Sequence, residues 1–211
     1  MLRILVADDH PMVRTGITNS LKKISKLFLI DEVENAEDAI KNSKKNDYEL
    51  IFLDISMPKG GGLVALEQIM TIKPKSKIIM LSVFDEQQYI KHSLKLGAKA
   101  YLTKSIDASE LEQAVKKVRA GEKYISLELA EHIAFNVFEN TNNPKHAKLT
   151  NREFQVFCLI AEGKKTGDIA IDLSISPKTV GTYRRRIFEK MEFSSHFEII
   201  KYSLMNNIKK K

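Results

Sequence analysis

The chain has 211 residues, enough for one large domain or two small ones, each with its own hydrophobic core. Hydrophobic residues make up 43% and charged residues 29%, as in ordinary globular proteins, and no apolar run approaches the roughly 18 residues that span a membrane. The single cysteine excludes an internal disulfide, and the amino terminus turns acidic by Asp8, unlike a signal peptide. These features predict a cytoplasmic protein.

The net charge of +7 is unevenly distributed along the chain. Residues 1–140 contain 20 Lys and Arg against 20 Asp and Glu, whereas residues 141–211 contain 14 against 7. The whole positive excess therefore lies in the last third, which indicates a module that binds a polyanion.

Strand and helix patterns alternate over the first 120 residues. Strands are predicted near 3–7, 28–33, 50–54, 77–81 and 100–103, and helices at Met12–Ile24, Ala36–Lys44, Leu63–Thr71, Glu86–Leu96 and Ser109–Ala120. Alternation with short loops is typical of a parallel sheet with helices on both faces. We therefore predict an α/β, flavodoxin-like, doubly wound domain with five parallel strands. The glycines at 60–62 are interpreted as a flexible loop, because the pattern of a phosphate-binding loop is absent.

Polar side chains follow or end four of these strands. They are Asp8 and Asp9 after the first, Asp54 at the end of the third, Ser82 after the fourth and Lys104 after the fifth. Carboxyl ends of parallel strands meet at one edge of a sheet, so these groups are expected to converge. Three carboxylates repel one another unless a cation lies between them, and Mg²⁺ prefers such oxygen ligands together with phosphate. Asp54 can then attack phosphorus and form an acyl phosphate, with Lys104 neutralising charge and Ser82 donating a hydrogen bond.

Five separated pieces of sequence carry a resemblance to a known family. They are Asp8-Asp9-His10-Pro11, Asp54 with Met57-Pro58, Ser82, Gly97-Ala98, and Tyr101-Leu102 with Lys104. On these pieces, residues 1 to about 121 resemble the receiver domains of two-component response regulators. Many receivers have Pro after the Lys, where this chain has Ser105, so the resemblance does not predict the loop geometry at that point but leaves the chemistry unchanged.

The resemblance implies a role for each matching residue. Asp54 is implied to be the phosphoacceptor for a sensor histidine kinase, with Ser82 and Lys104 contacting the phosphoryl group and Tyr101 acting as the aromatic switch. Mg²⁺ is implied to bind Asp8, Asp9, Asp54 and the main-chain carbonyl of Ser56. The five histidines show no metal-ligand spacing, so no site is assigned to them.

Residues 122–147 are predicted to connect two domains. A segment with helical spacing follows Gly121, and the polar stretch 140–146 then contains Pro144 and no periodicity, as linkers do. The predicted organisation is a receiver at 1–121, a helical segment and linker at 122–147, and a second domain at 148–211.

The second domain is predicted to be all-α, with four helices. Thr150 and Glu153 form a capping box at the first helix, Thr166–Leu173 is the second, Ser176-Pro177 begins a third that runs to about Met191, and His196–Met205 is the fourth. The third helix has a basic outer face, which favours a helix-turn-helix in a major groove of DNA. A small four-helix domain that binds protein fits these features about equally well.

A second resemblance covers about residues 147–207. The matching residues are Leu149-Thr150, Arg152-Glu153, Ile169-Ala170, Ile175 to Val180, and Tyr183-Arg184, and they resemble the LuxR-type helix-turn-helix. A receiver with this module is the architecture of NarL/FixJ-type response regulators, and within them the chain is most similar to the GacA/UvrY global regulators. The resemblance implies that duplex promoter DNA contacts Lys178, Thr179, Thr182 and Arg185 through its bases, and Tyr183, Arg184 and Arg186 through its backbone. Gly181 stands where a larger polar residue is usual, which indicates close approach to DNA or a relaxed sequence preference.

The predicted function is that of a DNA-binding transcriptional regulator, not an enzyme, which forms a homodimer when phosphorylated and frees its second domain. One alternative is a magnesium-dependent phosphatase with an aspartyl nucleophile, but such enzymes need a second acid where this chain has Ser56. Another is a receiver joined to a module that binds protein or RNA.

Overall fold

In the computed structural model of the 211-residue chain, the described residues are 1–82, 87–127, 129–131, 144–173, 175–206 and 208. The chain divides into two compact units, Met1–Ala134 and Phe135–Lys211. This division falls inside the predicted connecting segment 122–147, of which 128 and 132–143 lie outside the described residues. The domain limits at 121 and 148 therefore stay predictions. Among the described residues, no helix is both long and apolar enough to cross a membrane.

The first unit alternates strands and helices as the sequence predicts. Its elements are β1 (Leu2–Ala7), α1 (Pro11–Ile24), β2 (Phe28–Val33), α2 (Ala36–Lys45), β3 (Leu50–Asp54), α3 (Gly62–Ile72), β4 (Ile78–Ser82), α4 (Gln87–Lys95), β5 (Ala100–Thr103), α5 (Ala108–Arg119) and β6 (Tyr124–Ile125). The predicted start of α4 at Glu86 lies outside the described residues.

The strands form one parallel sheet. Within the described residues it has six strands in the order β2-β1-β3-β4-β5-β6. The order 2-1-3-4-5 is that of flavodoxin-like folds, so the predicted α/β fold class is confirmed. The five-strand prediction missed β6, because two residues are too short to show a period. Its Tyr124 pairs with Ala100, and the Tyr124 N–H donates to the Lys99 carbonyl at 2.9 Å.

The central strands are almost wholly buried. All five residues of β3 and all five of β4 are buried, as their unbroken apolar runs predict for strands covered on both faces. On one face, Ile4, Val6 and Phe52 of the sheet pack in a cluster with Leu21 of α1 and Leu111 of α5. Each such side chain contributes roughly 1.5–3 kcal/mol through burial. This core fixes the ends of β1 and β3, where the acidic residues lie.

Gly62 begins α3 in direct contact with the backbone of Asp54. The Gly62 N–H donates to the Ile55 carbonyl at 2.8 Å, and a Cβ at position 62 would lie 1.8 Å from the Asp54 carbonyl oxygen. A side chain at this position therefore collides with main chain, which cannot move aside. The interpretation of the glycines as a merely flexible loop was wrong for Gly62, because this glycine lets α3 approach the end of β3.

The second unit is helical. Its described elements are a 3₁₀ turn (Lys145–Lys148), α6 (Asn151–Ala161), α7 (Thr166–Asp172), α8 (Pro177–Met191) and α9 (His196–Met205). The predicted helix starts are confirmed: Thr150 forms a capping box with Glu153, and the Ser176 hydroxyl accepts from the Thr179 N–H at 3.0 Å. The 3₁₀ turn was not predicted. Its sequence lies in the stretch interpreted as linker.

Polar contacts fix the orientation of α8 in the second unit. Lys190 Nζ lies 2.6 Å from Glu153 Oε2, which joins α8 to the capping residue of α6. Arg152 donates to the carbonyl of Leu173, the last residue before the turn between α7 and α8, at 2.5 Å. Beneath them Phe154, Phe157 and Ile187 are fully buried. The outer face of α8 is therefore held on a rigid base.

Candidate functional site

Asp8, Asp54 and Lys104 form a buried ion-pair cluster at the carboxyl ends of β1, β3 and β5. Lys104 Nζ lies 2.9 Å from Asp8 Oδ2 and 2.8 Å from Asp54 Oδ2. Asp8 is 0% exposed and Asp54 1% exposed. The expected convergence of these strand-end residues is thus found.

The surroundings of Asp54 change its acidity. Burial raises the pKa of Asp54 to about 6; the Lys104 ammonium opposes the rise, the Asp8 charge adds to it, and the Ser56 N–H opposes it again. Burial by itself lowers the pKa of Lys104, but the two carboxylates outweigh it and raise that pKa above its usual value. The two carboxylates therefore favour the charged form of Lys104, and the Lys104 ammonium in turn favours the ionised form of Asp54.

Asp9 and His10 extend this cluster toward solvent. His10 Nδ1 lies 2.7 Å from Asp9 Oδ1, and the His10 N–H donates to Asp8 Oδ1 at 2.8 Å. One ligand-type atom from each of Asp8, Asp9, His10 and Asp54 lies within 4.8 Å of the others. The sequence assigned no site to any histidine, and the signal that was available for His10 is its position directly after the acidic pair.

The cluster has the chemistry of a divalent cation site. Three buried carboxylate oxygens lack a hydrogen bond of good geometry: Asp8 Oδ2, Asp9 Oδ1 and Asp54 Oδ2. The first and third lie near Lys104 Nζ, and the second lies near His10 Nδ1. Hard carboxylate oxygens at this spacing suit Mg²⁺. The main chain of Ser56 is adjacent, since its N–H donates to Asp54 Oδ1 at 3.2 Å. The residues present therefore fit the metal that the sequence predicts.

Ser82 lies on β4, which pairs with β3, and Tyr101 lies on β5, which pairs with β4. Ser82 ends β4 and is fully buried, and its carbonyl accepts from the Lys104 N–H at 2.7 Å. That bond ties the Lys104 loop to the end of β4. Tyr101 is also fully buried in β5, where it pairs with Met80. The residue that the resemblance implies to be the aromatic switch is therefore buried in this structure. Residues 83–86, which follow Ser82, lie outside the described residues.

The seven predicted DNA-contacting residues lie on the first three turns of α8, partly or fully exposed. They are Lys178, Thr179, Thr182, Tyr183, Arg184, Arg185 and Arg186. The guanidinium of Arg184 lies over the Phe188 ring at 5.8 Å, and Arg185 Nε lies 3.8 Å from Glu189 Oε1. A Cβ at Gly181 would meet nothing within 4 Å, so packing within the chain does not require a glycine there.

Two family models match the chain. Residues 4–116 match the response regulator receiver domain, and residues 147–203 match the bacterial regulatory proteins of the luxR family. The two matches correspond to the two compact units, one with the acidic cluster and the other with α8.

Individual proteins match over nearly the full length. Response regulator GacA of Pseudomonas viridiflava is 36% identical over 200 residues, 94% of this chain and 94% of that protein. Response regulator UvrY of Escherichia coli (strain K12) is 33% identical over 210 residues, 99% of this chain and 96% of that protein. A solved structure of two RcsB dimers bound to two parallel DNAs is 25% identical, with a TM-score of 0.60, and the match covers 95% of this chain and 96% of that one.

Proposed function

Because the chain belongs to the response regulators that join a receiver domain to a LuxR-type helix-turn-helix domain, we propose that phosphorylation of Asp54 by a sensor histidine kinase controls its binding to promoter DNA. The observation that carries this proposal is the buried cluster in which Lys104 Nζ lies 2.8 Å from Asp54 Oδ2 and 2.9 Å from Asp8 Oδ2. The Asp54 carboxylate thus has a positive counter-charge already in place. The same chain carries α8, the basic helix that we propose contacts DNA.

In the proposed reaction an Asp54 oxygen bonds to the phosphorus of the kinase's phosphohistidine while the phosphorus–nitrogen bond breaks. Asp8, Asp9, Asp54 and the Ser56 carbonyl would hold Mg²⁺, which when bound offsets the negative charge of the phosphoryl oxygens. The Lys104 ammonium exchanges its ion pair with the Asp54 carboxylate for one with a phosphoryl oxygen. The Ser82 hydroxyl donates a hydrogen bond to another phosphoryl oxygen.

The phosphoryl group then acts as a local charge change on a two-state element. The Lys104 N–H donates to the Ser82 carbonyl, so a shift of either side chain toward the phosphoryl group is transmitted to the ends of β4 and β5 and to Tyr101 in β5. We propose that this alters the surface around α4, β5 and α5, and that release of the second unit and dimerisation follow.

An apolar stripe on α9 supports the proposed homodimer. Phe197, Ile200, Leu204 and Met205 are exposed on this helix at a spacing that places them on one side. Exposed apolar stripes of this kind mark association surfaces. The similar RcsB structure contains dimers on DNA.

The proposed DNA surface is the exposed face of α8. Its arginines and Lys178 supply charge for the phosphates, and side chains near the amino end of a recognition helix reach base edges. We place this activity in the cytoplasm, where the chromosome lies. We also propose that the chain is a transcription factor with no turnover of its own on phosphate esters.

The phosphorylation proposal is tested by incubating the protein with acetyl phosphate and Mg²⁺. The mass of the protein, measured under acidic conditions, reports the number of phosphoryl groups incorporated. We expect the wild type to gain one group and Asp54→Asn to gain none. Asp47→Asn is the matched control, since that carboxylate is exposed at the opposite end of the sheet, beside Lys73. Labelling of Asp54→Asn, or repeated turnover on a phosphate ester, would refute the assignment and favour a phosphatase.

The DNA proposal is tested by footprinting and salt titration of the phosphorylated full chain. Affinity should fall steeply as salt rises, because binding releases counterions from DNA. Arg185→Ala should weaken binding by about 1–3 kcal/mol if the side chain reads a base. A flat salt response with no footprint on duplex DNA would indicate a protein- or RNA-binding output instead.

A further inference from the structure

Arg14 of α1 forms a three-pronged contact beside the acidic cluster. Its Nη1 donates to the main-chain oxygen of Asp8 at 2.7 Å, its Nε to Glu32 Oε2 at 3.2 Å and its Nη2 to Glu34 Oε1 at 2.9 Å. We propose that Arg14 is a positioning residue that sets the divalent-cation affinity of the Asp8–Asp9 pair. The inference rests on the proposed metal site and names a residue that acts through the ligands.

The geometry makes Arg14 a rigid support. It lies in the first turn of α1, where its own N–H donates to the His10 carbonyl at 3.1 Å, and its side chain is only 11% exposed. The two glutamates at the end of β2 occupy two edges of the planar guanidinium, so the third edge can point in one direction. That direction is toward the Asp8 carbonyl.

The main chain at Asp8 is thereby held on both sides, through the peptide before it and through the peptide that joins it to Asp9. The Asp8 N–H donates to the Val33 carbonyl at 3.1 Å, and the Asp8 carbonyl accepts from Arg14. Asp8 is also fixed by burial, but Asp9 is only partly buried and its oxygen is near the half-exposed His10. The position of the Asp9 carboxylate therefore depends on this peptide more than that of Asp8 does.

Arg14 also links the loop after β1 to the loop after β2. Glu34 directly precedes Asn35, the cap of α2, and the Ala36 N–H donates to the Pro58 carbonyl at 3.2 Å. Pro58 lies two residues after Ser56, whose carbonyl is the predicted fourth ligand of Mg²⁺. Arg14 thus connects the loops after β1 and β2, and the second of these is bonded to the loop after β3.

Charge and geometry predict opposite effects when Arg14 is replaced. Removing a positive charge near a cation site strengthens cation binding by Coulomb attraction. Removing an outer partner of metal ligands weakens binding, typically by about 10- to 100-fold. The sign of the change in cation affinity therefore separates a positioning role from simple electrostatics. Arg14→Lys keeps the positive charge but removes the planar guanidinium and its three contacts.

Arg3 offers a matched control on the same two strands. Its Nε lies 2.7 Å from Asp31 Oδ2 and its Nη1 donates to Asn46 Oδ1 at 2.7 Å. Arg3 is the second residue of β1, and this contact involves no residue of the loop after β1. Arg3→Gln therefore removes a similar ion pair with no contact to the loop that carries Asp8 and Asp9.

The experiment titrates the full chain with Mn²⁺ and follows free Mn²⁺ by electron paramagnetic resonance. The variants are Arg14→Lys, Arg14→Gln, Arg3→Gln and Asp9→Asn, each checked by circular dichroism and thermal unfolding without metal. We expect wild type and Arg3→Gln to agree within about twofold, and both Arg14 variants to bind about tenfold more weakly or worse. The Mg²⁺ concentration for half-maximal labelling by acetyl phosphate should rise in parallel, with the rate at saturating Mg²⁺ retained.

Tighter binding by Arg14→Gln, or affinities of both Arg14 variants within twofold of wild type, would overturn the inference. So would a fall in the saturated labelling rate without a change in half-saturation. If wild type itself shows no Mn²⁺ binding that Asp9→Asn removes, the proposed metal site fails, and that outcome is distinguishable because it appears before any Arg14 variant is compared.

Discussion

The acidic cluster of the first unit and the basic face of the second hold their charges in opposite ways. Asp8, Asp54 and Lys104 are buried and paired with one another, whereas Arg185 and Arg186 on α8 are exposed. Breaking a buried ion pair costs about 3–5 kcal/mol because a charge is left without compensation, while an exposed pair contributes about 0–1 kcal/mol. The first region therefore links its chemistry to folding, and the second leaves its charges available to a ligand.

The largest expected effect that tests this contrast is that of Lys104→Met. Without the ammonium, Asp8 and Asp54 face each other in a buried site, and the free energy of unfolding should fall by about 3–5 kcal/mol at pH 7. Urea denaturation followed by circular dichroism measures the loss. Mg²⁺ should restore part of it by supplying the missing positive charge.

Arg185→Met is the matched substitution in the second unit. Its ion pair with Glu189 is long, at 3.8 Å, and exposed, so stability should change by less than about 0.5 kcal/mol while DNA affinity falls. A loss of stability for Arg185→Met as large as that for Lys104→Met would remove the contrast between the two regions.

Gly62→Ala should be the next largest effect. The added Cβ would lie 1.8 Å from the Asp54 carbonyl oxygen and 2.9 Å from the Ile55 Cα, so α3 or the end of β3 must shift. Overpacking of this kind costs typically about 1–3 kcal/mol, and a clash with main chain belongs at the upper end. Thermal unfolding measures the loss, and the rate of acetyl phosphate labelling should fall as Asp54 moves. Normal labelling with normal stability would show that the close approach is unimportant.

His146 supplies a pH-dependent prediction in the second unit. Burial lowers the pKa of His146 to about 4, and its Nδ1 lies 2.9 Å from the Tyr202 hydroxyl. A histidine whose folded pKa is depressed stabilises the fold in its neutral form, so its contribution is complete above its ordinary pKa and is lost as pH falls toward 4. The loss amounts to roughly 3 kcal/mol at most, at about 1.4 kcal/mol per pKa unit.

The measurement is urea denaturation of wild type and His146→Asn at pH 7 and pH 5. We expect wild type to lose stability at the lower pH and the variant to lose clearly less. All other residues are the same in both proteins, so the difference between them reports on position 146. Equal pH dependence in both would contradict the assignment.

The fold and the acidic cluster were predictable because they depend on local patterns. Unbroken apolar runs predict buried strands, and strand ends place Asp8, Asp54 and Lys104 at one edge whatever the loops do. The membership in the response regulators with a LuxR-type output, similar to GacA and UvrY, is confirmed by the family models and the relatives. The roles of individual site residues stay predictions.

The contacts of Arg14 and His10 were not predictable in the same way. An arginine four residues into a helix reaches across to β2 only because β1 and β2 pair in one particular register, which the sequence does not display. The proximity of His10 to Asp9 depends on how the chain turns into α1. Gly62 was misread for a related reason, since its constraint comes from the approach of α3 to β3 and not from its neighbours in sequence.

Gly181→Ala applies the glycine test to the exposed region. A Cβ at 181 meets nothing within 4 Å, so alanine should raise the free energy of unfolding by about 1 kcal/mol through helix propensity alone. The sign is thus opposite to that of Gly62→Ala. If the glycine is present because DNA approaches the helix there, affinity for a footprinted site should fall despite the gain in stability. Unchanged affinity, measured at fixed salt on the same DNA, would instead leave a relaxed sequence preference as the explanation for a glycine in the middle of α8.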